Sequence, residues 1–435
     1  MVSDDTRITS DTRVGERESV RSGAMTLTVD SEPGEVGFDA DRLQRLDRHL
    51  QGYVDDARLP GWLLAISRHG KLAHVSTYGR RDLEADLPVE TDTIWRIYSM
   101  TKPITAVAAL VAYEQGAFEL NDPVRHYLPS FADQRVWRSG STVNPVTEPV
   151  TEDMRVWHLF THTSGLTYGF LQSHPVDALY RNAGYEWGVP PDLDLAGVCD
   201  QLATLPLVFQ PGTEWNYGMS TDVLGMVVEA ATGVAFADFV QRHVLDPLGM
   251  TETWWSVDDD HAERLAALYV PTPGSRTALR FDTMGAGARR PPKAPLGGGG
   301  LVGTAGDYVR FAEMLRRRGE HDDGRILAPR TVDYMASNHL PGNADLTDFG
   351  RPLFSETTFD GVGFGLGVSV TLDPVAAKVP GNVGDFGWGG AASTAFWVDP
   401  VEDMTVVFMT QLLPSSTWPI RSQLKQLVHA ALTGD

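Results

Sequence analysis

A chain of 435 residues, 42% hydrophobic and 21% charged, has an ordinary globular balance and is long enough for two or three domains, or for one large core with an insertion. Its formal net charge of −21 repels phosphate backbones and anionic bilayers, so neither a nucleic-acid nor a membrane partner is expected. The single cysteine, Cys199, excludes an intrachain disulfide and a cysteine-based metal site, and reads as a free thiol in a core.

Residues 1–32 are rich in Asp, Arg, Ser and Thr and read as a flexible tail. They lack a basic start followed by an apolar run, so no signal peptide is seen and a cytoplasmic location is the expectation. No apolar stretch reaches the length of a membrane span. A helix follows, with Asp39 able to cap it and Leu43, Leu46, Leu50 and Val54 at helical spacing. Trp62–Ile66 and Leu72–Ser76 flank His69-Gly70 and predict a hairpin.

Ser99-Met100-Thr101-Lys102-Pro103 then opens a long apolar helix running through Val107, Leu110, Val111 and Tyr113 to Gly116. Pro103 suits a first helical turn, which places Ser99 at the mouth of the helix near unpaired N–H groups and the positive end of its dipole. From about residue 117 to 290 the chain reads as mostly helical and loop-rich. The Gly297–Gly300 run is not followed by Gly-Lys-Ser, so it reads as a tight bend rather than a phosphate cradle. An amphipathic helix spans Asp307 to Arg318. Gly363–Val370, Ser393–Val398 and Met404–Met409 read as strands, and a last helix carries Ile420, Leu424, Val428 and Leu432. The expected fold is α/β of the α+β type. An antiparallel sheet flanked by helices is built from both termini (33–98 and 291–435), and a mainly helical domain (99–290) is inserted, with the active site at the interface.

A serine is a weak nucleophile without an adjacent base. A lysine three positions on in a helix shares its face. To act as a base near neutral pH the lysine must lose about three units of pKa, roughly 4 kcal/mol, which burial in a cleft can supply. Among only five lysines the spacing occurs twice, at Ser99–Lys102 and at Ser422–Lys425. The second pair lies inside the amphipathic terminal helix, where Lys425 reads as a solvated side chain.

Ser99-Met100-Thr101-Lys102 followed by a helix resembles the first motif of serine β-lactamases and penicillin-binding proteins. Later landmarks, in order, resemble the class C β-lactamase-like esterases called family VIII carboxylesterases. They are Leu159-Phe160-Thr161-His162-Thr163-Ser164-Gly165-Leu166, Tyr217-Gly218-Met219-Ser220, Leu245-Asp246-Pro247-Leu248-Gly249-Met250, the glycine run with Leu301, and Trp388-Gly389-Gly390. The resemblance covers roughly residues 36–430. It implies that Tyr217 shares a proton with Lys102 and Ser99, and that Trp388-Gly389-Gly390 lies on an edge strand facing the serine. It also implies that the N–H groups of Ser99 and Ala391 form an oxyanion hole.

Two departures bear on the substrate. Trp388 stands where β-lactamases and peptidases of this group carry a carboxylate-attracting Lys, and Met219 where they carry an amide-holding Asn. Both changes favour neutral esters. The expected activity is cofactor-free hydrolysis of a small-molecule carboxylic ester through an acyl-enzyme on Ser99, with Trp388, Gly389, Gly390 and Met219 against the substrate. The same site leaves open a β-lactamase, a D-amino-acid peptidase or amidase, an acyltransferase, or a slowly acylating penicillin-binding module. His162 invites a Ser-His-Asp reading, but its loop resembles a structural turn and no Gly-x-Ser-x-Gly occurs. The histidines show no metal-binding spacing, so no metal is expected. The oligomeric state cannot be read from the sequence.

Overall fold

The computed structural model describes residues 27–351 and 354–434. Of the segment read as a tail, residues 1–26 lie outside the described residues. From Leu27 onward the chain is fixed to the fold: Leu27 is buried, and the Asp30 N–H donates to the Leu72 carbonyl at 2.9 Å.

Helix α1 (Ala40–Asp55) begins where Asp39 accepts the Arg42 N–H at 3.0 Å, and it buries Leu43, Leu46, Leu50 and Tyr53. Tyr53 takes the place that the spacing gave to Val54. The hairpin forms as β1 (Gly61–Arg68) and β2 (Lys71–Asp82), with His69 and Gly70 both at positive φ in its turn, followed by β3 (Leu87–Pro88). Helix α2 (Thr101–Glu114) is buried at every position from Thr101 to Ala112, as a helix apolar all round must be. In the inserted segment α3 (Ser220–Thr232) packs against α2, and two short hairpins, Arg135–Gly140 with Pro145–Pro149 and Tyr269–Pro271 with Ala278–Arg280, accompany the helices. Among the described residues no single helix is long and apolar enough to cross a membrane.

The chain returns to the sheet through α4 (Ala305–Arg316), capped by Thr304. The Gly363–Val370 stretch is not one strand. It folds into β4 (Val362–Phe364) and β5 (Ser369–Thr371), because Gly367 turns the chain at φ 86° beside Ala106 of α2. Then come β6 (Phe386–Gly389), β7 (Ala395–Asp399), β8 (Met404–Thr410) and the final helix α5 (Ile420–Ala430). The antiparallel sheet runs β4-β5-β6-β7-β8-β1-β2-β3, so the two termini meet where β1 pairs with β8.

Every residue of β1 is buried because both faces of the sheet are covered. One face carries Trp62, Leu64, Ile66, Val406 and Phe408 against α1 and α5. The other carries Leu63, Ala65, Phe396 and Val407 into a core that continues through α2 into the helical half. Ile97 and Met100 beside Ser99, with Tyr217 and Trp388, belong to this second core, and α5 props the sheet from the first. Truncating Leu424, which is fully buried in α5, leaves a cavity costing ~2–5 kcal/mol. We expect Leu424→Ala to lower the urea midpoint accordingly. A loss under ~1 kcal/mol would show that α5 does not brace the sheet.

Candidate active site

The segment Ile94–Arg96 is pinned between its strand partner Val302–Thr304 and the buried Gln411, which accepts the Arg96 N–H at 3.3 Å. Tyr98 then takes the left-handed conformation at φ 43°, a strained setting for a bulky residue that turns the chain sharply. This turn delivers Ser99 on the one-turn helix Tyr98–Met100 at the head of α2. The Tyr308 hydroxyl donates to the Met100 carbonyl at 2.9 Å, and the Leu301 N–H to the Thr101 hydroxyl at 3.1 Å, which locks the helix mouth in place. Ser99 is 8% exposed and Lys102 fully buried.

The Lys102 amino group has three partners. Its Nζ donates to Ser99 Oγ at 3.2 Å, to the Tyr168 hydroxyl at 3.1 Å and to the Gly298 carbonyl at 2.6 Å. The glycine run read as a bend therefore supplies a lysine acceptor. The Gly298 N–H in turn donates to Asp222 Oδ1 at 2.8 Å, so α3 fixes the carbonyl that fixes the lysine. Burial pushes the Lys102 pKa down to about 8, against the carboxylates of Asp222 and Glu356, which hold it up.

The Tyr217 hydroxyl donates to Ser99 Oγ at 2.6 Å. Its ring lies 4.6 Å from Lys102 Nζ and is clamped by His162, Trp215, Tyr168 and Trp388. A side chain at Gly218 would collide with the Leu166 carbonyl, so glycine is required for the phenol to reach the serine. Burial lifts the Tyr217 pKa well above its ordinary value, and the Glu356 charge adds to this. His162 is no partner of Ser99: both ring nitrogens are buried without a hydrogen bond, and burial followed by the Lys102 charge keeps it neutral. It is a wall of the tyrosine's cage.

The strand that carries Trp388 and Gly389, β6, is third in the sheet and not its edge strand, although these two residues are paired on the β7 side alone. Strand β5 pairs with the first half of β6 through Val370–Phe386 and Ser369–Gly387, while Trp388 and Gly389 lie beyond this pairing. A side chain at Gly390 would strike the Ile97 carbonyl, which shows how closely this strand end abuts the nucleophile's turn. Ala391 opens a turn closed by the Gly390 N–H donating to the Thr394 carbonyl at 3.0 Å. Arg421 of α5 holds the turn, Nη2 donating to the carbonyls of Gly390 at 2.8 Å and Thr394 at 2.9 Å. The same nitrogen pairs with the Glu356 carboxylate at 2.6 Å. Met219 is buried at the start of α3, its N–H donating to the Thr167 carbonyl at 3.4 Å.

The second Ser-x-x-Lys pair is not a nucleophile and base. The Ser422 hydroxyl donates to the Pro419 carbonyl, and Lys425, read as solvated, pairs with buried Asp385 at 2.7 Å. Sequence reasoning missed Tyr168, Asp222, Glu356 and Arg421. Tyr168 begins a stack in which its ring lies 4.9 Å from Phe170, which in turn lies 5.9 Å from exposed Trp187 and meets Phe354 edge-on. The aromatic density of the loop was the one signal for it.

A helix-mouth serine, a buried lysine one turn on and a tyrosine from the helical half stand in one hydrogen-bonded group, an arrangement able to activate a serine hydroxyl. The comparisons agree. The family model described as "Beta-lactamase" matches residues 46–430, and the chain belongs to that family of serine hydrolases. Protein Rv1367c of Mycobacterium tuberculosis is 36% identical over 369 residues, covering 84% of this chain and 89% of that protein. Esterase EstB of Burkholderia gladioli is 32% identical over 418 residues, covering 92% and 98%. The solved structure of EstCE1, a hydrolase with promiscuous acyltransferase activity, superposes with a TM-score of 0.74 at 27% identity, covering 91% and 98%.

The electrostatics of Lys102 predict the direction of a pH effect. If a neutral lysine is required, kcat/KM rises with pH through about 8. Asp222→Asn keeps an oxygen for the Gly298 N–H but removes a charge that stabilises the ammonium, so the rising limb moves to lower pH by roughly 1 unit. A limb that stays in place or moves to higher pH would contradict this.

Proposed function

We propose that this chain hydrolyses neutral carboxylic esters. The observation that carries the reading is the character of the wall around Ser99. Tyr168 and Trp388 pack on Tyr217, Phe170 and Phe354 continue the aromatic surface outward from Tyr168, and the cations Lys102 and Arg421 are both committed, Arg421 to the Glu356 carboxylate and two carbonyls. Among the described residues Lys102 and Arg421 offer a substrate carboxylate no uncommitted charge there, whereas an uncharged acyl or alkoxy group gains apolar contact.

The chemistry follows from the proton inventory. Tyr217, its pKa raised, stays a phenol near neutral pH, so neutral Lys102 is the group that receives the Ser99 proton. The Gly298 carbonyl cannot donate a hydrogen bond, so it retains one Lys102 N–H and turns the amine's lone pair toward the hydroxyls. Ser99 Oγ attacks the acyl carbon, and the N–H groups of Ser99 and Ala391 receive the oxyanion. Tyr217 passes its proton to the departing alkoxide and regains one from Lys102. Water then attacks the ester carbonyl on Ser99 with the same groups in reverse. The aromatic stack from Tyr168 to Trp187 also suits a second alcohol in place of water, which makes acyl transfer the next reading.

Ser99→Ala removes the nucleophile and should cut ester turnover by something like 10⁶-fold, and a phosphonate probe should label the peptide carrying Ser99. An adduct on Ser422 or Ser164 would sink the assignment. A charge-assisted hydrogen bond contributes about 1.5–3 kcal/mol, so its absence alone weakens anionic substrates roughly 10- to 150-fold. We therefore expect kcat/KM for a short-chain p-nitrophenyl ester to exceed that for nitrocefin by at least ~10²-fold, a gap that Trp388→Lys narrows. Equal rates on both in the unmodified enzyme would make it a β-lactamase.

A further inference from the structure

An aromatic surface leads away from the reacting groups. The Tyr168 hydroxyl accepts from Lys102 at 3.1 Å, the Tyr168 ring stacks on Phe170 at 4.9 Å, and Phe170 lies parallel to Trp187 at 5.9 Å. Tyr168 and Phe170 are half-buried and Trp187 is 61% exposed, so the surface opens progressively toward solvent. A contiguous apolar surface left in water marks a ligand groove or an interface, and this one starts at the catalytic lysine. The loop is shaped to hold it. Arg181 Nη1 donates to the Gly169 carbonyl at 2.6 Å, and a side chain at Gly169 would strike the Tyr185 carbonyl. The backbone between Tyr168 and Phe170 is thus pressed against the segment that carries Trp187.

We propose that this strip binds the alcohol portion of the ester and selects alcohols that carry an aromatic ring on a short chain, an inference that rests on the ester reading above. The side of the scissile bond follows from the proton path. An alkoxide leaves toward the group that protonates it, which is Tyr217. Tyr168 packs edge-on against the Tyr217 ring at 5.4 Å and bonds the amine that returns the proton. The oxyanion is received on a different element, the turn at Ala391. The kind of group follows from the rings. An arene adds to a stack through offset or edge-on contact between ring quadrupoles, which a saturated ring of the same size cannot make. Trp187 stands two ring spacings beyond Tyr168, so only an alcohol several atoms long arrives there.

Hydrolysis kinetics on the full chain test this with phenylpropyl acetate and its saturated analogue cyclohexylpropyl acetate. The two share an acyl group and a primary alkoxide leaving group, and the saturated ring is the more hydrophobic, so a preference for the arene reports ring contact. The kcat/KM for the phenylpropyl ester should be about fivefold higher. Trp187→Ala should bring the ratio below about twofold, and so should Phe170→Leu, which keeps apolar bulk but removes the middle ring. The reversed esters, methyl phenylbutanoate and methyl cyclohexylbutanoate, place the ring on the acyl side and should differ less than about twofold. Equal kcat/KM on the two acetates, a ratio that survives both variants, or a larger arene preference in the reversed esters would overturn the proposal. Turnover of p-nitrophenyl acetate separates the two readings. Its absence would fell the ester reading and this one together, whereas its presence without the arene preference would fell this one alone.

Discussion

The structure around Ser99 depends on a fully buried lysine. An ammonium inside a protein is costly unless every proton is engaged, and Lys102 meets this with one hydroxyl from its own helix, one from the loop at Tyr168 and one backbone carbonyl from the glycine run. Three distant parts of the chain must converge for those contacts to exist. Satisfying this one amino group therefore orders much of the interface between the sheet and the helical half. The same burial brings its pKa to about 8, low enough for a fraction of neutral amine at physiological pH.

The second constraint is the close approach of β6 to the turn bearing Ser99. Glycine at 390 removes the side chain that would block it, and Arg421 ties the following turn to α5. Because α5 is itself packed on α1 and the sheet, a helix further along the chain anchors the turn that contains Ala391. In the Glu356–Arg421 pair beside it the carboxylate is buried and also accepts from the Ser415 hydroxyl at 2.8 Å, while the guanidinium is a quarter exposed. A pair held in this way is better suited to fixing geometry than to adding stability.

What could be read from the sequence was whatever is local. The capped helix at Asp39, the hairpin around His69-Gly70 and the spacing of Ser99 and Lys102 are all set by neighbours within a few residues, and they stand in the structure. Tyr217 was legible only through its motif, since nothing in its own vicinity marks it as more than a core aromatic. Tyr168 and Gly298 were not legible: they meet Lys102 across 66 and 196 residues, and a carbonyl has no side-chain signature. Lys425 was misread because its partner, Asp385, lies 40 residues earlier on another element. The strand read through Gly363–Val370 failed for a different reason, as a glycine that permits extension also permits the turn at Gly367.

Ser99, Lys102 and Tyr217 form one proton-transfer unit in this account, and a double-mutant cycle on the acylation rate tests that claim most directly. Lys102→Ala and Tyr217→Phe should each slow the acylation burst with a p-nitrophenyl ester by at least ~10²-fold. The double variant should be little slower than the slower single, because each change already disables the shared transfer. A double variant slowed by the full product of the two single effects would show two independent roles and contradict the account.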